Sequence, residues 1–411
     1  MSVFLLPAYL FVMAKPVMVL SATNLSPIQA NTYAPVATED KTTSSVYLNT
    51  TELGSVTLVD DPPTIESLLM YQASMRLRQI CLPFIIVAGT FGNVVVVVIH
   101  CRLPRNQKSS MSVYFTTLAV SDTAVLWTGW FWMLQTLGIT LSTEYHVQRD
   151  YIDFVMDALC RIRVWVSYTF GQASAWVLVS MTVHRALSVV WPHRTRKFLT
   201  KNNARKVVVF IVSLCAFSNA HTLYGHSLTP AAANGRKAVC FASFVSESYG
   251  QFFNLVWVWE DIVVSVLLPF ACLLVTNSVL IRKVGQSLRE AKETFAEGRT
   301  DQFGARSKKL SSMTATLIAT SVAFLLLTSP LAAYMIVKRA FGRGRVRGGI
   351  RSVAANKLAL SSGLMLWYTN LAINFYIYCL TGARYRTEFL RLFGRGGATD
   401  QASLRTDKTP S

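Results

Sequence analysis

The chain has 411 residues, of which 52% are hydrophobic and only 15% are charged. A soluble domain carries about 25% charged residues, so this composition excludes an ordinary cytosolic enzyme and a disordered chain. The formal net charge is +19, and most charges lie between long apolar runs. The sequence therefore predicts a protein that crosses a membrane several times.

The first predicted segment, residues 1–78, is a polar head that precedes the apolar runs. Two tripeptides in it, beginning at Asn24 and Asn49, match the acceptor sequence for N-glycosylation, which is used only on the lumenal side. Residues 2–20 are apolar enough for a signal peptide, but they lack a basic beginning and are interrupted at Lys15 and Pro16. We expect an extracellular, largely disordered head, and the sequence leaves cleavage of a signal open.

Seven apolar runs follow, each able to cross a bilayer core of about 30 Å as a helix that rises about 1.5 Å per residue. They lie at residues 80–100, 113–134, 160–190, 207–224, 254–280, 311–337 and 358–380. No internal repeat is visible, which disfavours an inverted-repeat transporter. We predict an all-α membrane protein, a bundle of seven transmembrane helices.

Basic residues indicate the orientation of this bundle, because they accumulate on the cytoplasmic side. With the tail inside, 24 of the 40 Lys and Arg residues fall on that side, although a basic run at residues 338–357 departs from the bias. This orientation places Cys160 and Cys240, alone among the seven cysteines, at the outer face. That compartment is oxidising, so we expect these two to form a disulfide.

Asp122, in the second run, is the only acidic residue deep within any of the seven. An ionisable residue in a membrane costs several kcal/mol there and indicates function. Asn93, Ser174, Asn370 and Asn374 lie at comparable depth. Such oxygen ligands suit a small hard cation or a water cluster. The alternative is a hydrogen-bonded network that only holds the helices together.

After the seventh run, apolar residues recur at helical spacing, and arginines occupy the opposite face of the predicted helix. The apolar positions are Tyr385, Phe389, Leu392 and Phe393. This pattern predicts a short amphipathic eighth helix on the inner leaflet. Residues 394–411 would then form a cytoplasmic tail.

Several motifs together resemble those of the rhodopsin-like (class A) G protein-coupled receptors, over residues 79–393. The Gly-Asn pair ending at Asn93 and the LAVSD run ending at Asp122 resemble the first-helix and second-helix motifs. Arg185 follows Cys160 by the family's spacing, and the run from Asn374 to Tyr378 is similar to the Asn-Pro-x-x-Tyr signature, with Phe in place of Pro. The seventh helix is close to that of invertebrate peptide receptors of the FMRFamide, thyrotropin-releasing-hormone and ghrelin type.

Other positions depart from the family pattern and indicate a divergent member. His184 replaces the acid before Arg185, Ala186 replaces the aromatic after it, and Thr328 replaces the sixth-helix Trp. Without that acid, and with only Lys308 and Lys309 at the inner end of helix six, Arg185 loses a restraint on this side. The alternative is that a loop acid such as Glu290 or Glu293 takes its place. We therefore expect raised signalling in the absence of ligand.

The resemblance implies a mechanism, a set of partners and a location. An extracellular ligand would favour a state in which helix six, hinged at Pro330, swings outward. This movement would expose His184, Arg185 and Tyr378 to a heterotrimeric G protein. It implies arrestin, a receptor kinase and membrane lipid as further partners, the plasma membrane as location, and a sodium ion at Asp122 as the only bound group. It implies no enzymatic activity and no nucleic acid.

The ligand class follows from what the helices lack. Ser167 stands where amine receptors have Asp, and the segment around Tyr368 lacks the Lys of opsins, so a peptide, most simply a neuropeptide, remains. The predicted pocket residues are Ser167, Tyr168, Trp257, Asp261 and Tyr368. We expect Asp261 to face inward and hold a basic residue of the peptide; alternatively, Glu260 and Asp261 both neutralise Arg161 or Arg163.

Rival classes gain less support from the residues. An intramembrane protease needs a Ser–His pair or two Asp residues at mid-membrane, and only Asp122 lies there. The alternative function is that of a divergent seven-helix protein without G-protein coupling, similar to a transporter or channel. Such proteins usually carry more charges along a path or broken helices in matched halves.

Overall fold

The computed structural model describes residues 64–103, 109–137, 149–228, 240–241, 246–296, 302–341 and 350–392. The glycosylation tripeptides at Asn24 and Asn49, and the tail 394–411, lie outside the described residues. Within the described ranges the chain is helical except for short connections and one two-stranded sheet.

The first half of the chain forms three long helices. Helix α1 covers Ile65–Arg102, with a π-helical turn at Leu77–Cys81 between the α-helical parts Ile65–Arg76 and Leu82–Arg102. Its N-cap is Thr64, whose side chain accepts a hydrogen bond from the backbone N–H of Ser67. Helix α2 covers Ser110–Leu137, and α3, the longest, covers Arg149–Val190.

The middle of the chain contains a fourth helix, a sheet and a composite fifth helix. After a one-turn helix at Pro192–Thr195, α4 covers Lys201–Ser218, and a further turn covers His221–Gly225. Strands β1 (Ser227–Leu228) and β2 (Cys240–Phe241) pair antiparallel. Helix α5 joins α-helical parts Glu247–Phe252, Val258–Asp261 and Leu268–Ala296 through π-helical segments Phe253–Trp257 and Ile262–Leu267.

The last part of the chain forms helices α6 (Gln302–Phe341), α7 (Ile350–Thr381) and α8 (Ala383–Leu392). Pro330 lies inside α6, where it cannot donate to the carbonyl of Leu326. The hydroxyl of Ser329 donates to that carbonyl instead, at 3.4 Å. Side-chain donors of this kind are one way in which membrane helices tolerate a proline.

Five described helices are long and apolar enough to cross a membrane, at Ile65–Arg102, Val155–Val190, Lys201–Gly225, Glu247–Gln286 and Thr314–Ala340. Helices α2 and α7, with 28 and 32 residues, are also long enough. Asp122 in α2 and Asn370 and Asn374 in α7 lower their hydropathy, and these three residues are buried. Helices α2 and α7 thus carry polar groups in the interior of the bundle.

Helix α7 packs against α1, α2 and α6. Gly89 of α1 permits this approach, since a Cβ atom there would lie 2.7 Å from the Cβ of Ala372. Small residues serve this purpose in membrane helices, where close backbone packing replaces the hydrophobic effect as the source of attraction. At the end of the bundle opposite the sheet, Tyr385 and Phe389 of α8 pack against the core that contains Tyr378.

Candidate functional site

A cavity of about 480 Å³ lies between α3, α5, α6 and α7. Its lining reaches from Cys240 of β2 to Asn370 of α7, so it runs from the sheet into the middle of the bundle. On α3 the lining residues Ser167, Tyr168, Gly171 and Gln172 recur at intervals of one helical turn, which places them on one face of the helix.

Asp261 lines this cavity and ends a chain of buried polar side chains. Its Oδ1 accepts hydrogen bonds from Ser265 Oγ at 2.6 Å and from Gln172 Nε2 at 3.2 Å. The Oε1 of Gln172 in turn accepts from Asn219 Nδ2 at 2.8 Å, which links α3 to the end of α4. Both described hydrogen bonds of the carboxylate use Oδ1.

The neighbouring acid, Glu260, lies elsewhere. It does not line the cavity, and its Oε2 is buried without a hydrogen-bond partner among the described residues. Arg161 pairs with Asp157 at 2.8 Å rather than with either acid of α5. The described ion pairs therefore do not include the alternative in which Glu260 and Asp261 neutralise Arg161 or Arg163.

The predicted aromatic residues of the pocket divide into two groups. Tyr168 and Tyr368 line the cavity, together with the predicted Ser167. Trp257 does not: its side chain is buried behind the wall, 6.2 Å from the Tyr168 ring and 4.2 Å from the His221 ring, centroid to centroid. Its assignment to the pocket is corrected, because a π-helical turn at Phe253–Trp257 alters the direction of side chains that an uninterrupted helix would give.

The turn at His221–Gly225 packs directly against the beginning of α5. A Cβ atom on Gly225 would lie 1.7 Å from the Tyr249 ring, so only glycine fits there. His221 Nδ1 and Tyr249 Oη are hydrogen-bonded at 2.8 Å. Next to this contact, His226 lines the cavity, and burial lowers its pKa to about 4.

Cys160 and Cys240 form a disulfide, with 5.7 Å between their Cα atoms, which confirms the prediction. The bond attaches β2 to α3 next to the cavity. Asp157 adds a second tie in this region, because its Oδ1 accepts from Ser227 Oγ of β1 at 2.8 Å. The sheet is thereby fixed to α3 at both strands.

Asp122 lies below the cavity with no exposed surface. Ser174 Oγ donates to its Oδ1 at 2.5 Å, and Asn374 Nδ2 donates to its Oδ2 at 2.7 Å. The other two amide residues of the predicted network lie apart from the carboxylate's hydrogen bonds. Asn93 donates to the carbonyl of Leu371 at 3.2 Å, and Asn370 lines the cavity. The described ion pairs include none with Asp122, so its charge is matched only by neutral donors.

At the opposite end of the bundle, His184 and Arg185 have separate partners. His184 Nε2 is hydrogen-bonded to Ser110 Oγ of α2 at 2.9 Å, and Arg185 Nε donates to Thr314 Oγ1 of α6 at 3.3 Å. Helix α6 thus does offer Arg185 a partner, contrary to the sequence argument, which considered only acids. Tyr378 is buried here against the rings of Phe115 and Tyr385.

Several residues that build the site were missed by sequence reasoning. Gln172 lies one turn below the predicted Tyr168, so helical spacing could have indicated it. Asn219, Ser265 and Thr314 carry no comparable signal, because ordinary hydroxyl and amide residues are common in membrane helices. Their partners become apparent only once the helices are packed.

Comparisons with known proteins agree with this architecture. Residues 92–378 match the family described as 7 transmembrane receptor (rhodopsin family). The mouse (Mus musculus) protein called neuromedin-U receptor 1 is 27% identical, over 80% of this chain and 76% of its own length. The growth hormone secretagogue receptor type 1 of Mustela putorius furo is 23% identical, over 75% of this chain and 78% of its own length. The protein of the same name in Homo sapiens is 22% identical over the same shares.

Proposed function

The chain belongs to the rhodopsin family of seven-transmembrane receptors, and from this membership we propose that it is a G protein-coupled receptor for a peptide. The observation that carries the proposal is the cavity of about 480 Å³ beside the disulfide, with the acidic residue Asp261 in its lining. Its relatives are named as receptors for neuromedin U and for growth hormone secretagogues. A neuropeptide is the ligand class that we assign to it.

In this proposal Asp261 receives a basic group of the peptide. The network of Gln172, Ser265 and Asn219 fixes the carboxylate in position before the ligand arrives. Such preorganisation reduces the ordering cost of binding. Because Gln172 belongs to α3 and Ser265 to α5, a charge at Asp261 acts on the packing of both helices.

Signalling would then be a shift in the population of two states. Ligand binding favours outward movement of α6, with Pro330 as the hinge. At the opposite end of the bundle, this movement separates Thr314 from Arg185. Arg185, His184 and Tyr378 would face the G protein in the cleft so formed.

We assign the disulfide end to the outside of the plasma membrane and the end that carries α8 to the cytoplasm. The bias of basic residues and the oxidised cysteine pair support this orientation. Helix α8 would lie on the inner leaflet, with Tyr385 and Phe389 toward the bundle. Residues 1–78 would be an extracellular head, 79–393 the receptor domain, and 394–411 a tail available to arrestin and a receptor kinase.

Asp122, Ser174 and Asn374 would hold a sodium ion in the inactive state. The fit rests on the donor set and on the buried carboxylate, whose charge has no cationic partner among the described ion pairs. Asn93 and Asn370 supply further amide oxygens nearby. The ion would supply the missing positive charge, and the Ser174 and Asn374 side chains would turn an oxygen toward it.

G-protein activation in cells that express the full chain, measured against a peptide library, tests the function. Active peptides with Lys or Arg should lose at least about tenfold in potency on Asp261→Asn, since a charge-assisted bond disappears. Glu260→Gln is the matched control, because that acid does not line the cavity. A charge-reversed Asp261→Lys receptor should recover its response to peptides in which the basic residue becomes Glu. Failure of every peptide to activate a G protein would contradict the function itself.

A further inference from the structure

Arg163 is a cationic side chain on the cavity wall that the proposed function leaves unused. It lies on α3, one turn below Cys160, and lines the same cavity as Asp261. Its Nε is buried and has no hydrogen-bond partner, and no described ion pair or hydrogen bond involves its terminal nitrogens. Its electrostatic neighbours in the described chain are the phenols of Tyr368 and Tyr168 and the imidazole of His226.

The arginine two positions earlier provides a direct comparison. Arg161 donates from Nε to Asp157 at 2.8 Å and from Nη1 to the carbonyl of Leu223 at 3.3 Å. Its charge and its donors are therefore used in holding the structure together. Arg163 has five N–H donors and lines a largely apolar cavity, so a ligand carboxylate there would find donors that the described chain does not use.

Asp261 and Arg163 stand at different depths of the cavity. The Asp261 carboxylate lies at the level of Gln172, to which it is hydrogen-bonded. Gln172 follows Arg163 by nine residues on α3, and at about 1.5 Å per residue their backbones differ in level by about 13 Å. An extended peptide covers this distance in about four residues.

We propose, on the basis of the proposed peptide-receptor function, that this cavity recognises a ligand with two opposite charges. A basic group binds Asp261, and a carboxylate about four residues away binds the guanidinium of Arg163. The planar guanidinium matches a carboxylate through two parallel hydrogen bonds. The carboxylate is either an acidic side chain or the free C-terminus of the peptide.

The probe is a set of synthetic eight-residue peptides that carry one Arg and one Glu at separations from one to six residues. Citrulline and Gln replace the charged residues in control peptides, and every peptide is made with a C-terminal acid and a C-terminal amide. G-protein activation and the thermal midpoint of the purified full chain are measured for wild type, Arg163→Gln, Arg161→Gln and Asp261→Asn. Potency should be greatest at separations near four.

The decisive result is the coupling between the peptide acid and Arg163. Loss of the acid should lower potency at least about tenfold in wild type and in Arg161→Gln, but have little further effect in Arg163→Gln. If replacing Glu with Gln is the change that matters, the partner is a side chain; if the acid-to-amide change matters, it is the C-terminus. An equal loss in wild type and Arg163→Gln would overturn the proposal.

The ligand-free protein gives a second, independent readout. Removal of a cation whose Nε is buried without a partner should leave the thermal midpoint of Arg163→Gln unchanged or higher, whereas Arg161→Gln, which breaks an ion pair and a carbonyl contact, should lower it. A fall of similar size in both variants would show that Arg163 is structural and would overturn the proposal. If no peptide of any charge pattern acts on the wild type, the proposed function fails as well. If peptides act without coupling to Arg163, only this inference fails.

Discussion

The Asp122 side chain holds a full charge, when ionised, among neutral hydrogen-bond donors in the interior of the bundle. A cation bound there in only one state stabilises that state by its differential affinity. We expect the thermal midpoint of the ligand-free protein to be higher in sodium chloride than in choline chloride at the same ionic strength. Asp122→Asn should abolish the difference, while Glu260→Gln should keep it. Equal midpoints of the wild type in both salts would contradict the sodium assignment.

His226, at the rim of the cavity, makes the folding stability depend on pH. Burial, assisted by the nearby charges of Arg163 and His221, lowers its pKa from 6.5 to about 4. The unfolded chain therefore binds more protons than the folded one between these values, so stability falls as the pH decreases through this window. Acidification from pH 7 to pH 5 should cost on the order of 1–2 kcal/mol through this group.

Thermal midpoints at pH 7 and pH 5 measure this loss of stability on acidification. The decrease on acidification should be smaller in His226→Gln than in the wild type. His193, exposed on the one-turn helix Pro192–Thr195, serves as the control, and His193→Gln should leave the decrease unchanged. The same pH dependence in wild type and His226→Gln would place the responsible group elsewhere.

At the residue scale, the sequence was sufficient to identify residues whose chemical type is unusual at their place in a membrane protein. Asp122 and the Cys160–Cys240 pair stand out because a buried charge and an oxidised pair have few alternative explanations. Gln172 and Thr314 do not stand out, and their roles depend on which helix lies opposite. The position of Trp257 could not be derived, because the sequence does not reveal where a helix gains a π turn.

Among the described side chains at the α8 end, hydroxyl groups of helix α6 contact the neighbouring helices. Thr314 accepts from Arg185 at 3.3 Å, and Thr316 is hydrogen-bonded to Thr381 of α7 at 2.8 Å. A neutral acceptor holds a guanidinium less strongly than a carboxylate does. We therefore still expect ligand-independent signalling, which His184→Asp or His184→Glu should lower and Thr314→Val should raise further.

Surface-matched assays of basal G-protein activity measure these changes. Thr276→Val is the control, because its hydroxyl bonds within α5 to the carbonyl of Cys272. Equal basal activity in the wild type, the His184 variants and Thr314→Val would mean that another contact restrains Arg185. The same result is expected if the chain couples to its G protein through other residues.

The π-helical segment Ile262–Leu267 lies between Asp261 and the proline of α5. Such a segment accommodates one extra residue without rotating the helix on either side of it. Deletion of Leu267 should therefore restore a regular helix and keep Asp261 on the cavity wall. Deletion of Leu274, in the α-helical part, should rotate everything before it by about 100°.

The two leucines are a matched pair, since each has 46% of its surface exposed. The response to basic peptides and the thermal midpoint should survive deletion of Leu267 far better than deletion of Leu274. Equal losses would show that the π segment does not absorb the change. Hydropathy could locate these helices but not this irregularity, because the apolar character of α5 is the same with and without it.

At the scale of the whole molecule, the disulfide is a covalent cross-link between strand β2 and helix α3. Replacing Cys160 or Cys240 with Ser should lower surface expression and peptide response together, because loss of such a bond typically costs about 2–5 kcal/mol. The double replacement should be no worse than either single one, since both remove the same bond. Cys81→Ser, at a free cysteine, is the control. Additive losses in the double variant would contradict a shared role.

Composition and hydropathy were sufficient to predict the helical membrane class and the order of the seven long helices. The ends of the helices were not predictable in the same way. The predicted third run begins at Cys160, whereas α3 begins at Arg149, because a helix can continue into water on the strength of its own hydrogen bonds and polar residues. Hydropathy reports the surroundings of a helix rather than its length.

The 42 residues of α3 have a further consequence. Such a helix is about 63 Å long, about twice the thickness of the hydrocarbon core. Some backbone amides of this one helix therefore lie in water and others within the bilayer. The amides in water can exchange their hydrogens for deuterium when the helix frays, whereas those within the bilayer cannot. The point along α3 at which deuterium uptake stops would report how deeply the protein sits in its membrane.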